Sequence, residues 1–308
     1  MKRLTKIWIT VIFFYLQLFS QTHIDPDLPF SIPKEKIRPL RQLVNTKFQQ
    51  QLDTQLRKNR SWARLIAKKK MAVGVVDMSD SMNIKFARVN GDVMLYAASL
   101  PKLAILLAAM DALEQKKIQE TDEVLEDIQI MIARSDNHAA TRMIDRLGFE
   151  YIEAVLCRPE LELYDKKHGG GLWVGKAYGR KGKRYPDPLM GISHGATVTQ
   201  VCRFYYLLAM GKLINRERSI QMLDILSDPE IHHKFVHTYD EIVPDAKLYR
   251  KSGTWKQWHS DSVLIWGPKW RRYILVALVE DPKGETILRD LIPSVESVLQ
   301  SQFDQVSE

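Results

Sequence analysis

The stretch Val93–Leu113, VMLYAASLPKLAILLAAMDAL, changes its period half-way along. Up to Ala97 it reads as a strand that follows the hairpin signal Asn90-Gly91-Asp92. From Leu103 to Leu113 nearly every helical face is apolar, which predicts a central, buried helix. Ser99-Leu100-Pro101-Lys102 stands at the junction. Pro101 suits a first helical turn, where its missing N–H costs nothing. Positions i and i+3 share a helix face, so Ser99 Oγ and Lys102 Nζ can lie within hydrogen-bond reach. A lysine on a buried helix is costly to keep charged, and desolvation lowers its pKa toward that of a usable base. A serine at a helix N-terminus lies beside free N–H groups that favour a developing oxyanion. The arrangement is that of an activated nucleophile. A second S-x-x-K, Ser31-Ile32-Pro33-Lys34, lies on a polar segment with nothing to bury its lysine and reads as coincidence.

Working outward, Met71–Met78 and Ile84–Asn90 have strand character, and so do Lys247–Thr254, Ser260–Trp266 and Arg271–Glu280. Helical periods occupy Asp122–Leu147, Val198–Leu213 and Glu285–Phe303, and the segment Ser31–Asn59 has the spacing of an amphipathic helix. Strands at both ends around a helical middle predict one α/β layer completed by both termini, plus a helical subdomain.

Two further motifs carry chemistry. Ser135-Asp136-Asn137 follows 36 positions after Ser99 and suits a turn between helices, although all three residue types also favour helix N-caps. Lys251-Ser252-Gly253-Thr254 falls on an expected strand. There Lys251 can offer charge to a substrate carboxylate, Ser252 a hydrogen bond, and Gly253 a close backbone approach.

The three motifs in this order resemble the penicillin-recognising serine hydrolases, that is, class A β-lactamases and D-Ala-D-Ala peptidases, over about Ala72–Leu299. The resemblance implies an α+β three-layer sandwich, an antiparallel sheet flanked by helices, with an all-α subdomain at about 98–225. It implies Ser99 as the acylated nucleophile and Lys102 as its base or proton relay. Ser135 would pass a proton to the leaving nitrogen, Asn137 hold the substrate amide, and Lys251 and Ser252 bind its carboxylate. The backbone N–H groups of Ser99 and Thr254 would form the oxyanion hole. Class A enzymes hydrolyse their acyl-enzyme with a glutamate in an E-x-x-L-N setting. No glutamate occurs between Leu163 and Asn215 here, and Glu162 and Asp165 are the nearest replacements. Slow deacylation is therefore expected. The alternatives are a cell-wall D,D-peptidase, or a penicillin-binding sensor without turnover.

Composition bounds the rest. The 308 residues are 45% apolar and 27% charged, which excludes wholesale disorder and fibrous architectures. Two cysteines, Cys157 and Cys202, exclude a disulfide framework but allow one bridge. A basic start, Lys2, Arg3 and Lys6, precedes a 13-residue apolar run Ile7–Phe19 and Ser20, the pattern of a secretory leader over 1–20. Part of the net charge of +8 belongs to that leader, so nucleic acid is not an expected partner. The organisation expected is leader 1–20, extension 21–70 and hydrolase domain 71–308. The protein would be a periplasmic or secreted monomer without metal or cofactor, acting on a small lactam or a peptidoglycan stem. Gly169–Gly179 reads as a flexible loop at the cleft rim, His232-His233 as satisfied histidines, and Trp255, Trp258, Trp266 and Trp270 as sheet packing.

Overall fold

The computed structural model describes residue 28 and residues 32–179, 182–227, 229–268 and 270–307. The leader expected at 1–20, and Ser31 of the second S-x-x-K, lie outside the described residues. In chain order the first helices are α1 (Thr46–Arg57) and α2 (Arg60–Ala67), followed by strands β1 (Met71–Asp77), β2 (Lys85–Val89) and β3 (Leu95–Tyr96). A helical block follows: α3 (Lys102–Glu114), α4 (Asp122–Ala133), α5 (Asn137–Leu147) and α6 (Phe149–Leu156). Four short strands come next, β4 (Tyr164–Asp165), β5 (Gly170–Gly171), β6 (Trp173–Val174) and β7 (His194–Ala196). Helices α7 (Val198–Ala209), α8 (Arg216–Leu226) and α9 (Phe235–Ile242) lead to β8 (Lys247–Trp255), β9 (Trp258–Trp266), β10 (Arg272–Glu280) and α10 (Gly284–Ser307).

The main sheet has the order β2-β1-β10-β9-β8, and every pairing in it is antiparallel. Both of its faces are covered, and the period of two shows which residue faces which layer. On β10, Ile274, Val276 and Leu278 pack into the core that contains α3 and α7. Their neighbours Tyr273, Leu275, Ala277 and Val279 pack against α1, α2, α9 and α10. Helix α3 lies wholly inside the first core, buried from Lys102 to Leu113 as its uniform apolarity requires. Gly74 lets α7 approach β1 closely, because an added Cβ would stand 2.8 Å from Cys202 Sγ.

Local chemistry corrects several expected boundaries. The segment 31–59 is not one helix. Pro33 and Pro39 supply no N–H, and two short 3-10 turns, Lys34–Lys36 and Leu40–Leu43, precede α1, which Asn45 caps by accepting from Phe48 N. Asn59 caps α2, whose existence the sequence did not announce. After Asn90 the chain does not fold back on β2. The Asn90 side chain donates to Ile66 O and Met71 O, Gly91 O accepts from Thr199 Oγ1, and the short β3 pairs with β7 instead. Asp122–Leu147 is divided at 134–136 into α4 and α5. Cys157 and Cys202 are free thiols, one exposed and one buried, so the bridge that the sequence allowed is not formed. Among the described residues no helix is long and apolar enough to cross a membrane.

The contact at Gly74 yields a stability prediction. Gly74→Val overpacks the β1–α7 seam and should cost about 1–3 kcal/mol, read as a lower urea midpoint; an unchanged midpoint would show that the seam has room.

Candidate active site

The nucleophile candidate is set by a strained entry to α3. Ala97 N donates to His194 O at 2.8 Å, which ends the β3–β7 ladder, and Ala98 then takes φ 51°. Positive φ is unfavourable for a residue with a Cβ and is held only where surroundings enforce it. Ser99 follows, half-buried, and its carbonyl accepts from Lys102 N as α3 begins. Leu100 is fully buried and anchors the turn in the core.

Lys102 has no exposed surface. Its ammonium donates to Ser135 O at 2.5 Å, to Asn137 Oδ1 at 2.9 Å and to Ser135 Oγ at 3.3 Å. All three acceptors come from the α4–α5 turn, where Ser135 has φ 55° and Asp136 caps α5 by accepting from Ala139 N at 2.7 Å. The turn reading and the cap reading of Ser135-Asp136-Asn137 are thus both realised, by different residues. Burial pushes the Lys102 pKa down to about 7, opposed by the nearby Asp136 carboxylate.

The second lysine arrives from the sheet. Lys251, on the edge strand β8, donates to Ser135 Oγ at 2.9 Å and to Ser252 O at 2.9 Å. Burial first, and the Lys102 charge second, hold it well below the ordinary lysine range. Ser135 Oγ therefore lies between two lysine amines. Gly253 is where β8 touches the nucleophile turn: an added Cβ would stand 2.3 Å from Ala97 O and 2.6 Å from Ser99 N. Only glycine permits that approach, and Thr254 follows directly on the same edge.

Residues of three contiguous motifs thus meet around the buried amines of Lys102 and Lys251. The family model described as the beta-lactamase enzyme family matches residues 57–128 and 123–299, well over half of the chain. The chain belongs to the beta-lactamase enzyme family. Its fold is that of solved members. The beta-lactamase from Sphaerobacter thermophilus superposes with a TM-score of 0.63 at 17% identity, covering 82% of this chain and 97% of that one. A class A beta-lactamase from Bacteroides cellulosilyticus gives 0.60 at 16% identity, with coverage of 83% and 100%. A point mutant of PBP-A, described as an acyl-enzyme complex with penicillin G, gives 0.63 at 19% identity, with coverage of 87% and 100%. No curated protein sequence matches the chain.

Within this family member the two carboxylates nearest in sequence to the expected glutamate are engaged elsewhere. Glu162 pairs with Arg203 at 3.5 Å and lines a cavity with Arg158 and Asp111, the latter toward the far end of α3 from Lys102. Asp165 accepts from Lys167 N and pairs with His168. Neither is bonded to Ser99, Lys102 or Ser135. Beside Lys102 stands Tyr178 instead, its ring centroid 4.6 Å from Nζ and its hydroxyl donating to Ala98 O at 3.3 Å. Burial raises the Tyr178 pKa well above the ordinary value, so the phenol stays protonated. His194 packs on the Tyr178 ring, and burial lowers its pKa to about 4, leaving it neutral. The glycine-rich stretch 169–179 thus delivers an aromatic wall to the site.

Sequence reasoning also missed the segment before α9. His233 is a satisfied histidine, as expected, but its partner is Ser252, whose Oγ lies 3.2 Å from Nε2, and burial lowers its pKa to about 3. Lys234 reaches Gly253 and Thr254. Only the letters His-His-Lys were available as a signal, 17 positions before Lys251, and nothing in their spacing tied them to it. Of the tryptophans, Trp266 is buried in the sheet, Trp258 meets Tyr96 edge-on at 5.5 Å, and Trp255 is largely exposed.

The lysine burial gives a measurable consequence. With 13C-labelled lysines, one side chain should titrate near pH 7 and vanish in Lys102→Met. If every lysine kept the ordinary value of about 10.4, Lys102 would not be the desolvated amine described here.

Proposed function

We propose that this family member is a secreted serine hydrolase that opens β-lactam or related amide bonds through an acyl-Ser99 ester, and releases that ester slowly. The observation that carries the reading is the convergence of Lys102 and Lys251 on Ser135 Oγ, with Gly253 of the same β8 edge abutting Ser99 N and no carboxylate among the described residues bonded to those amines. Neutral Lys102 takes the Ser99 proton as Oγ attacks the carbonyl carbon. The N–H groups of Ser99 and Thr254 receive the oxyanion, where each aligned donor is worth several kcal/mol. The proton then passes by way of Ser135 Oγ to the leaving nitrogen as the C–N bond breaks. Asn137, which accepts from Lys102 through Oδ1, keeps its amide N–H groups for the substrate carbonyl. Lys251 and Ser252 hold the substrate carboxylate, whose charge draws a proton back onto Lys251.

Deacylation needs a base for water, and general-base assistance typically supplies about 10²–10⁴-fold. Tyr178, protonated, cannot act as that base. Lys102, neutral again after acylation, is the remaining one. The same poverty of carboxylates supports a second reading, a D,D-peptidase acting on peptidoglycan stems. Secretion rests on the sequence of residues 1–20.

Intact-mass spectrometry after mixing with penicillin tests the reading. A lasting adduct should form on Ser99, with a burst followed by slow release. It should be absent in Ser99→Ala and Lys102→Ala, and its decay should be unaltered by Glu162→Gln and Asp165→Asn. No adduct on the wild-type protein would refute acylation. Rapid turnover abolished by either acid substitution would refute the missing base. Release of D-alanine from a D-Ala-D-Ala peptide faster than penicillin hydrolysis would favour the peptidase reading.

Lys251→Ala should slow acylation by carboxylate-bearing lactams by one charge-assisted contact, about 1.5–3 kcal/mol. A substrate with that carboxylate esterified should be almost indifferent. Equal losses on both would assign Lys251 to the proton path through Ser135 instead.

A further inference from the structure

The segment 231–235 is held against the sheet by a buried ion pair. Arg250 on β8 and Asp261 on β9 bond twice, at 2.7 and 2.8 Å, and both are buried. Arg250 also donates to Ile231 O at 2.8 Å and to His233 O at 3.2 Å, while Asp261 Oδ2 accepts from Phe235 N at 3.2 Å. The residue enclosed by these contacts is Lys234, forced to φ 54° and ψ −119°. Its side chain is fully buried.

The Lys234 ammonium has three donors and meets three acceptors: Gly253 O at 2.6 Å, Thr254 Oγ1 at 2.8 Å and Ser260 O at 3.1 Å. With all donors spent on protein atoms and no exposed surface, it is not built to bind substrate. Its shortest bond goes to the carbonyl of the peptide unit whose other end is Thr254 N–H. A cation on a peptide oxygen strengthens the dipole of that unit and makes its N–H a better donor. It also fixes the plane of the peptide at the point where Gly253 abuts Ser99 N.

We propose that Lys234 is a positioning residue for the oxyanion hole, acting through the Gly253–Thr254 peptide to aim and polarise Thr254 N–H. The proposal rests on Ser99 being the acylated nucleophile, and its test separates the two ideas. Burial lowers the proton affinity of this amine, to about 8, and the Asp261 charge opposes that, so the ammonium form is maintained near neutral pH. The strain at Lys234, like that at Ala98 and Ser135, sits directly against the reacting cluster.

The experiment compares wild type, Lys234→Met and Lys234→Arg. In the free proteins, the Thr254 amide proton and nitrogen resonances should move upfield in Lys234→Met and return toward wild type in Lys234→Arg. In the penicillin acyl-enzymes, the ester carbonyl stretch of Lys234→Met should lie at higher wavenumber than in wild type. Its acylation should be about 10- to 100-fold slower, less than the loss of a whole oxyanion donor. Should Lys234→Met not fold, Lys234→Gln takes its place, with the same directions. An unchanged Thr254 amide together with an unchanged carbonyl stretch overturns the proposal, whatever happens to the rate, because a merely structural lysine would alter stability alone. If wild type forms no Ser99 ester, the functional reading falls, while the Thr254 resonances still decide whether Lys234 polarises this peptide.

Discussion

A charged amine inside an apolar helix is the constraint around which this molecule is arranged. Lys102 opens α3, whose next eleven residues are buried, and its ammonium has no access to water. An uncompensated charge there would be prohibitive. The α4–α5 turn answers it with a backbone carbonyl, an amide oxygen and a hydroxyl, and doing so requires the left-handed backbone at Ser135. The docking of α4 and α5 on α3 is thereby tied to the chemistry: the contact that makes burial tolerable also sets Ser135 Oγ against the amine. The remaining desolvation is what brings the lysine into the range of a base at neutral pH.

The sheet supplies the second half of the site by a different principle. Its five antiparallel strands are covered on both faces, so its edge strand β8 is a stiff rail. Lys251 and Gly253 alternate with Ser252 along it, which places the amine and the close backbone approach on one side at a fixed spacing. Three of the nine non-glycine residues with positive φ among the described residues (Ala98, Ser135 and Lys234) mark where the turn before α3, the α4–α5 turn and the segment before α9 meet this rail.

The wall opposite Lys102 bears on the balance between the two chemical half-reactions. A protonated phenol and a neutral imidazole, Tyr178 and His194, fill it. The Tyr178 ring covers the Lys102 amine, and burial lowers that amine's pKa to about 7. The phenol is no base while it is protonated, and the two imidazole nitrogens face Ser193 Oγ and Lys176 O. Family membership therefore constrains the first half-reaction more than the second, and that asymmetry underlies the proposal of a long-lived acyl-enzyme.

Local patterns in the sequence carried much of this. Uniform apolarity identified α3 as central, because a helix exposed on any side would show polar residues there. Ser99-x-x-Lys102, Ser135-Asp136-Asn137 and Lys251-Ser252-Gly253-Thr254 were legible because each is contiguous, and the first two depend on helix-turn geometry only a few residues long. What the sequence could not disclose is what depends on distant segments meeting. Glu162 and Asp165 looked available by position, yet Arg203 and His168 hold them elsewhere. Leu95–Tyr96 looked like the second arm of a hairpin, but β7 and Thr199 compete for that backbone. Nothing in the sequence singled out Lys234; it is a fully enclosed amine beside the site because the Arg250–Asp261 pair, made between two strands, draws its segment onto Gly253. A hydrogen-bond partner tens of residues away leaves no periodic mark in the chain. Such pairings are settled by which buried polar groups can satisfy one another once the layers have packed, and that is a property of the tertiary structure alone.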